Sequence, residues 1–168
     1  RKINDRNYHL MNVMRSTNLR VPESLRKNLE VVLYTDLQEL FEDSDRRVSI
    51  RKLKTRKQEL EKWDLKLDQN DYNRLVGNRL RKIAAGLPSR SNRTEAVDNI
   101  RMVLEHIQPL GIDPPMNGLQ NIIFRWLKKI TAEDIDSVFN QALIRLARHI
   151  NLDVDHILAS IQVKAYSE

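Results

Sequence analysis

Residues 94–107, Thr-Glu-Ala-Val-Asp-Asn-Ile-Arg-Met-Val-Leu-Glu-His-Ile, decide the fold class of this 168-residue chain. Their apolar members recur every three or four positions, which is the spacing of one face of an α-helix: Val97, Ile100, Val103, Leu104 and Ile107. The stripe ends before Pro109. A helix with a single apolar face buries that face against other elements, so this stretch predicts a packed helical protein.

The same period continues in both directions along the chain. Further helix starts are predicted after Pro22, at Thr35-Asp36, at Ser49, at Asp68 or Asp71, at Asp113-Pro114-Pro115, at Thr131–Asp134, which resembles a capping box, and after Asp153. No alternating pattern typical of a strand exceeds about four residues. We therefore predict an all-α, multi-helix bundle of about seven to nine helices with short loops.

The length of the chain fits a single domain, residues 1–168. The polar connector 87–93 allows a division into two subdomains, 1–86 and 94–168. No repeat of 30 to 45 residues is visible. Because the chain starts at Arg1 without a methionine, we expect either a trimmed tag or a piece of a longer polypeptide.

Composition excludes several classes of protein. With 40 % hydrophobic and 31 % charged residues the chain is globular rather than disordered. It has no cysteine, which excludes thiol nucleophiles and cysteine-ligated metals, and four glycines argue against a glycine-rich phosphate loop. No apolar stretch is long enough for a membrane span and no signal peptide is present, so we expect a cytoplasmic location without membrane attachment.

Basic residues collect in two acid-free stretches of a chain whose formal net charge is +6. The candidate binding surface consists of Arg51, Lys52, Lys54, Arg56, Lys57, Arg79, Arg81 and Lys82. One interpretation is a surface that binds phosphate groups, with affinity that falls as salt rises. The other is a solvated helix face, docked on the acidic segment Asp36–Asp45 beside it.

No motif for catalysis, metal binding or a cofactor is found. His149 and His156 are seven residues apart across a predicted helix break, and the carboxylate pairs lie in polar settings such as Glu133-Asp134. We therefore predict that the chain is not an enzyme and holds no cofactor. Three aromatic residues at helical spacing are interpreted as core residues: Trp63, Trp126 and Phe124. The alternative interpretation is a platform on which sugars or bases stack.

Two stretches carry a resemblance to a known family. The first is Tyr8–Ser16 followed by Leu19–Arg26 and Val31–Leu33, and the second is Ile107–Asp113 followed by Leu119–Phe124. In this order, with a helical middle, they resemble the uncharacterised helical domain at the C-terminal end of some bacterial alpha-amylase/alpha-mannosidase-like glycoside hydrolases. The resemblance covers roughly residues 5–130 and rests on hydrophobic pattern and a few polar residues. The basic run Arg46–Lys57 and the tail after Thr131 do not match it.

The resemblance implies a non-catalytic accessory domain of a larger polysaccharide-active enzyme. Its catalytic domain would precede Arg1, no catalytic residue carries over, and the partner would be that domain or another protein. The alternative prediction, from the basic surface, is a helical module that binds nucleic acid or an acidic protein partner.

Overall fold

The computed structural model describes residues 2–42, 47–66 and 68–165, and within these ranges the chain forms helices and no strand. Eight α-helices lie in the described ranges: α1 (Lys2–Ser16), α2 (Glu23–Glu42), α3 (Ile50–Trp63), α4 (Gln69–Ala85), α5 (Arg93–Ile107), α6 (Asn117–Leu127), α7 (Val138–His149) and α8 (Val154–Ala165). Short 3₁₀ turns follow α4 at Leu87–Ser89 and α5 at Gln108–Leu110. The predicted all-α bundle is confirmed.

Helix α5 lies at the centre of the packing. It contacts α7 most extensively and also packs on α3 and α4, while α2 packs on α1, α3 and α4. The stripe predicted from the sequence is buried, with Val97, Ile100 and Val103 fully shielded from solvent. Burial of each such side chain stabilises the fold by roughly 1.5–3 kcal/mol.

Several helix starts are confirmed at atomic level. The Ser49 hydroxyl accepts the amide of Lys52 at 3.4 Å, and the Asp68 carboxylate accepts the amides of Asn70 and Asp71 at 3.0 and 3.4 Å. These side chains satisfy amides that the first helical turn leaves without partners. The described bonds therefore place the starts of α3 and α4 where the sequence predicted them.

The predicted break at Thr35-Asp36 is wrong, because α2 continues from Glu23 to Glu42. The Thr35 hydroxyl donates to the carbonyl of Val31 at 2.9 Å, one turn back in the same helix, instead of capping a new one. Leu37 and Phe41 continue the buried stripe of Leu33, so packing favours an unbroken helix.

Two other predicted starts lie a few residues too early. Asp113 and Pro114 each precede a proline, which disfavours the helical conformation, and α6 begins at Asn117. The Asp134 carboxylate does accept the amide of Thr131 at 2.8 Å, but residues 132–136 form turns. Helix α7 begins at Val138, where the Ser137 hydroxyl accepts the amide of Asn140.

The connector 87–93 is short and partly ordered by packing. Leu87 is fully buried, and α5 begins at Arg93 with Asn92 as its cap. Residues from both sides of the connector belong to one contiguous hydrophobic core. The division into subdomains 1–86 and 94–168 stays a prediction, and the packing shows no boundary there.

Candidate basic interaction surface

The orientation of α3 separates its basic residues from the core. Leu53, Leu60 and Trp63 are buried, whereas Arg51, Lys52 and Lys54 in the first turns of the helix are exposed to solvent. These three cations form no ion pair with any residue that the structure describes. We call Arg51, Lys52 and Lys54 the α3 basic face.

Two neighbouring cations of α3 are engaged within the protein. Arg56 Nη2 lies 2.7 Å from a carboxylate oxygen of Asp36 in α2, and both side chains are about one third exposed. Lys57 forms a longer pair of 3.5 Å with Glu61, one turn along α3. Arg56 therefore connects two helices, which is the docking on the acidic segment that the sequence offered as an alternative. Asp43, Asp45 and Arg46 lie outside the described residues.

The prediction that Arg79 belongs to an exposed surface is wrong, because its side chain is only 2 % exposed. In α4 it lies one turn after Val76 and one turn before Ile83, on the side of the helix that faces the core. Charge along the sequence grouped Arg79 with Arg81 and Lys82, which are exposed. The phase of the helix places Arg79 on the buried side of α4 instead.

Arg81 and Lys82 are exposed, as the binding hypothesis requires. Arg81 donates to Asn78 Oδ1 at 3.3 Å, and its aliphatic part lies against Gly118 of α6. Helices α3 and α4 each pack on α2 and α5, and extensive packing between α3 and α4 themselves is not seen among the described residues. The structure therefore separates the predicted basic surface into an α3 part and an α4 part.

The aromatic residues offer little free ring surface. Trp63 is 6 % exposed, and Trp126 and Phe124 are half-buried against the core, as the core interpretation predicted. Trp126 packs edge-on against Phe139 with ring centroids 5.6 Å apart. Cations cover these rings, for example Lys129 at 5.2 Å from the centre of Trp126.

A cluster that the sequence analysis missed joins α1 to the end of α3. Tyr8 Oη donates to the Glu59 carboxylate at 2.7–2.8 Å, and Lys62 Nζ donates to Asn12 Oδ1 at 2.6 Å. The Lys62 ammonium lies 5.0 Å from the ring centres of both Tyr8 and Trp63. The partners are about 50 residues apart in the chain, so local periodicity carries no signal of the contact.

Titratable groups elsewhere give no arrangement for metal binding in the described part of the chain. No three His, Asp or Glu side chains among the described residues are grouped as ligands for an ion. Asp155, between His149 and His156 in sequence, pairs with Arg148 at 3.0 Å.

Burial raises the pKa of Tyr72 well above its ordinary value, and the nearby Tyr34 and Asp71 add to this shift.

None of the helices in the described ranges combines the length and the apolar character needed to cross a lipid bilayer. Comparison of the chain with models of protein families, with curated proteins and with solved structures finds no match. The resemblance to the helical domain of glycoside hydrolases therefore stays a prediction.

Proposed function

We propose that this chain is a non-catalytic helical interaction module that binds an acidic protein surface through the α3 basic face. The observation that carries the proposal is the exposure of Arg51, Lys52 and Lys54 without an ion pair to any described residue. Neighbouring Arg56 and Lys57 have carboxylate partners, so charge on α3 is neutralised inside the fold but not on this face. Carboxylates of a partner protein would neutralise the positive charge of the α3 basic face.

An acidic protein fits this face better than nucleic acid. Binding of single-stranded nucleic acid relies on exposed aromatic rings that stack on bases, and Trp63 is buried while Trp126 is partly covered by Phe139. Binding to a duplex relies on many phosphate contacts. The α3 basic face provides three cations, and the buried Arg79 removes one from the second group.

The test compares Lys54→Glu with Arg125→Glu, an exposed position on α6. Both variants lower the formal net charge from +6 to +4, since each replaces one positive by one negative charge (6 − 2 = 4). We expect Lys54→Glu to weaken binding of polyglutamate about threefold to tenfold, as for a removed interface charge, and Arg125→Glu to change it little. Fluorescence anisotropy with labelled polyglutamate, at 20 and 150 mM salt, measures both.

Equal loss in the two variants would contradict the proposal, because binding would then follow net charge alone. Tight, strongly salt-dependent binding of duplex DNA with no affinity for polyglutamate would replace the protein partner by nucleic acid. Arg56→Glu is unsuitable as the test variant, since it places a second carboxylate beside Asp36 and removes the ion pair between α2 and α3.

A second candidate function is the accessory domain of a larger, cytoplasmic polysaccharide-active enzyme. Exposed Leu10 and Val13 on α1 favour it, because an apolar helix face is suited to packing against a neighbouring domain. The mass of the native polypeptide in its source cell, read by immunoblot, tests this. A product several times larger than 19.8 kDa supports an accessory domain, and one of that size contradicts it.

A further inference from the structure

A groove of about 430 Å³ lies between the end of α1 and the C-terminal end of α3. Leu19 and the carboxylate of Asp64 line it. Four cations complete the lining: Arg15, Arg20, Arg26 and Lys62. Asp64 is the single acidic residue in this described lining. The groove is therefore a second basic region, separate from the α3 basic face and built by a different part of the chain.

The way in which α1 ends shapes one wall of the groove. Asn18 adopts a left-handed conformation (φ 55°), and its amide donates to the carbonyl of Arg15 at 3.1 Å. The amide of Leu19 reaches back to the carbonyl of Met14 at 2.8 Å. This pattern reverses the chain immediately after the helix, so Arg15, Leu19 and Arg20 come to one rim.

The four cations differ in how far the protein already engages them. Arg26 Nη2 donates to the backbone carbonyls of Trp63 and Asp64 at 3.3 and 3.1 Å, where it caps the end of α3. Lys62 donates to Asn12 and Tyr8. These two side chains therefore have partners in the folded protein.

Arg15 and Arg20 remain available to a ligand. Both are exposed, and Arg15 makes a cation–π contact with Trp63 at 5.7 Å, while its guanidinium donates no hydrogen bond to a described residue. Neither forms an ion pair with a residue that the structure describes. Guanidinium groups of this kind bind carboxylates through two parallel hydrogen bonds.

Leu19 adds an apolar contact to this charged rim, since its side chain is 60 % exposed. A ligand that satisfies both features carries carboxylates and an apolar side chain close together. Nucleic acid lacks the apolar side chain, and Trp63 offers no free ring face for a base because Tyr8 packs edge-on against it at 5.9 Å and Arg15 lies over it.

We propose that the groove binds an acidic peptide segment of a partner protein, with carboxylates on Arg15 and Arg20 and one apolar side chain against Leu19. The proposal rests on the proposed function in taking an acidic protein as partner, and it adds a second site that recognises sequence rather than charge alone. Charge complementarity supplies the attraction, and the leucine contact supplies the selectivity.

The experiment is a two-dimensional ¹H–¹⁵N NMR titration of the whole chain with the peptide Glu-Glu-Leu-Glu-Glu, up to millimolar concentration. We expect the amides of Asn18, Leu19 and Arg20 to shift. The Arg15→Glu/Arg20→Glu variant should weaken binding about tenfold or more, and Leu19→Ser about threefold, whereas Arg125→Glu should leave the affinity unchanged. The same spectra show whether each variant is folded.

Arg20→Glu alone serves as the second variant if the double variant unfolds, because Arg20 has no ion pair among the described residues. Absence of shifts in these amides, wild-type affinity in the folded arginine variants, or equal affinity for Glu-Glu-Ser-Glu-Glu would overturn the proposal. Tighter binding of an oligothymidine at the same amides would assign the groove to nucleic acid. Peptide shifts confined to the first turns of α3, at Arg51, Lys52 and Lys54, would support the α3 basic face and reject the groove.

Discussion

Asn99 is a buried polar side chain that joins α5 to the loop before α3. Its Oδ1 accepts the amide of Val48 at 3.2 Å, and its Nδ2 donates to the carbonyl of the same residue at 3.0 Å. Asn99 and Val48 are almost fully shielded from water, so solvent cannot replace either bond. One amide side chain thereby satisfies both backbone groups of a residue outside any helix.

Replacing Asn99 by alanine leaves those two buried backbone groups without partners. We expect Asn99→Ala to lower the free energy of unfolding by about 2–4 kcal/mol, since each unsatisfied group costs about 1–3 kcal/mol. The matched control is Asn121→Ala on the exposed side of α6, which should change stability by no more than about 0.5 kcal/mol. Urea denaturation of both variants measures the difference, and similar values for the two would contradict this role.

Single residues also show where sequence reasoning succeeds and where it stops. Ser49 and Asp68 were predictable because a cap bonds to amides two or three residues away, within the reach of local sequence. Asn99 was not predictable, since its partner is 51 residues earlier in the chain. The burial of Arg79 depends on the phase of α4 against its neighbours, which charge counting does not register.

At the scale of helices, two glycines with different surroundings mark close approaches of α4: Gly77 lies against the proline loop before α6, and Gly118 of α6 lies against Arg81. A Cβ on Gly77 would lie 2.9 Å from Cδ of Pro115, whose ring cannot turn aside. A Cβ on Gly118 would lie 3.0 Å from Cδ of Arg81, an exposed side chain that can move. The same substitution should therefore have opposite effects at the two positions.

Alanine in place of a helical glycine normally stabilises a helix by about 0.5–1 kcal/mol. We expect Gly118→Ala to keep part of that gain, about 0.5 kcal/mol, whereas Gly77→Ala should be destabilising by about 1 kcal/mol because overpacking against proline outweighs it. Thermal unfolding followed by circular dichroism distinguishes the two. A gain of stability in Gly77→Ala would mean that the loop with Pro114 and Pro115 can withdraw from α4.

The extent of α2 shows the limit of capping signals. Thr35-Asp36 has the composition of a helix start, but its hydroxyl bonds back within the helix and Asp36 pairs with Arg56. Residues of this type in a helix interior are recognisable only once their partners on other helices are known. Periodicity thus predicted the helices as a set, while tertiary contacts decided whether adjacent ones were joined.

At the scale of the whole molecule, Tyr72 makes the free energy of unfolding depend on pH in the alkaline range. Its hydroxyl donates to the carbonyl of Tyr34 at 3.3 Å between α4 and α2, and burial raises its pKa well above the ordinary value of about 10. Above pH 10 the unfolded chain releases this proton while the folded chain retains it. Proton retention thus stabilises the fold fully below pH 10 and loses effect as pH rises further.

Above pH 10 the loss contributed by Tyr72 approaches a limiting slope of about 1.4 kcal/mol per pH unit. We expect Tyr72→Phe, which has no ionisable group at this position, to lose less stability between pH 10 and 11 than the wild type. Urea titrations at both pH values measure this, and the comparison cancels the contribution of lysines. Parallel losses in the two proteins would show that Tyr72 ionises freely in the fold.

The candidate sites were predictable in composition more than in position. The run of basic residues predicted a positively charged α3, and Arg51, Lys52 and Lys54 of this run are exposed to solvent in the folded protein. The sequence pattern did not predict the groove, because its lining residues are distant in the chain. Arg15 and Arg20 belong to α1 and the turn after it, while Trp63 and Asp64 come from the end of α3. The packing of α1 and α3 on α2, together with the hydrogen bonds of Tyr8 to Glu59 and of Lys62 to Asn12, brings these segments together.

The single core that spans the connector also constrains the order of folding. Helices α3 and α4 precede residues 87–93, whereas α5, on which both pack, and α6, on which α4 packs, follow that segment. During synthesis α3 and α4 are therefore translated before the helices that complete their packing. A released chain that ends near Ser91 would expose the sides of α3 and α4 that these later helices cover, and chaperones that bind apolar surfaces would recognise it in preference to the finished protein.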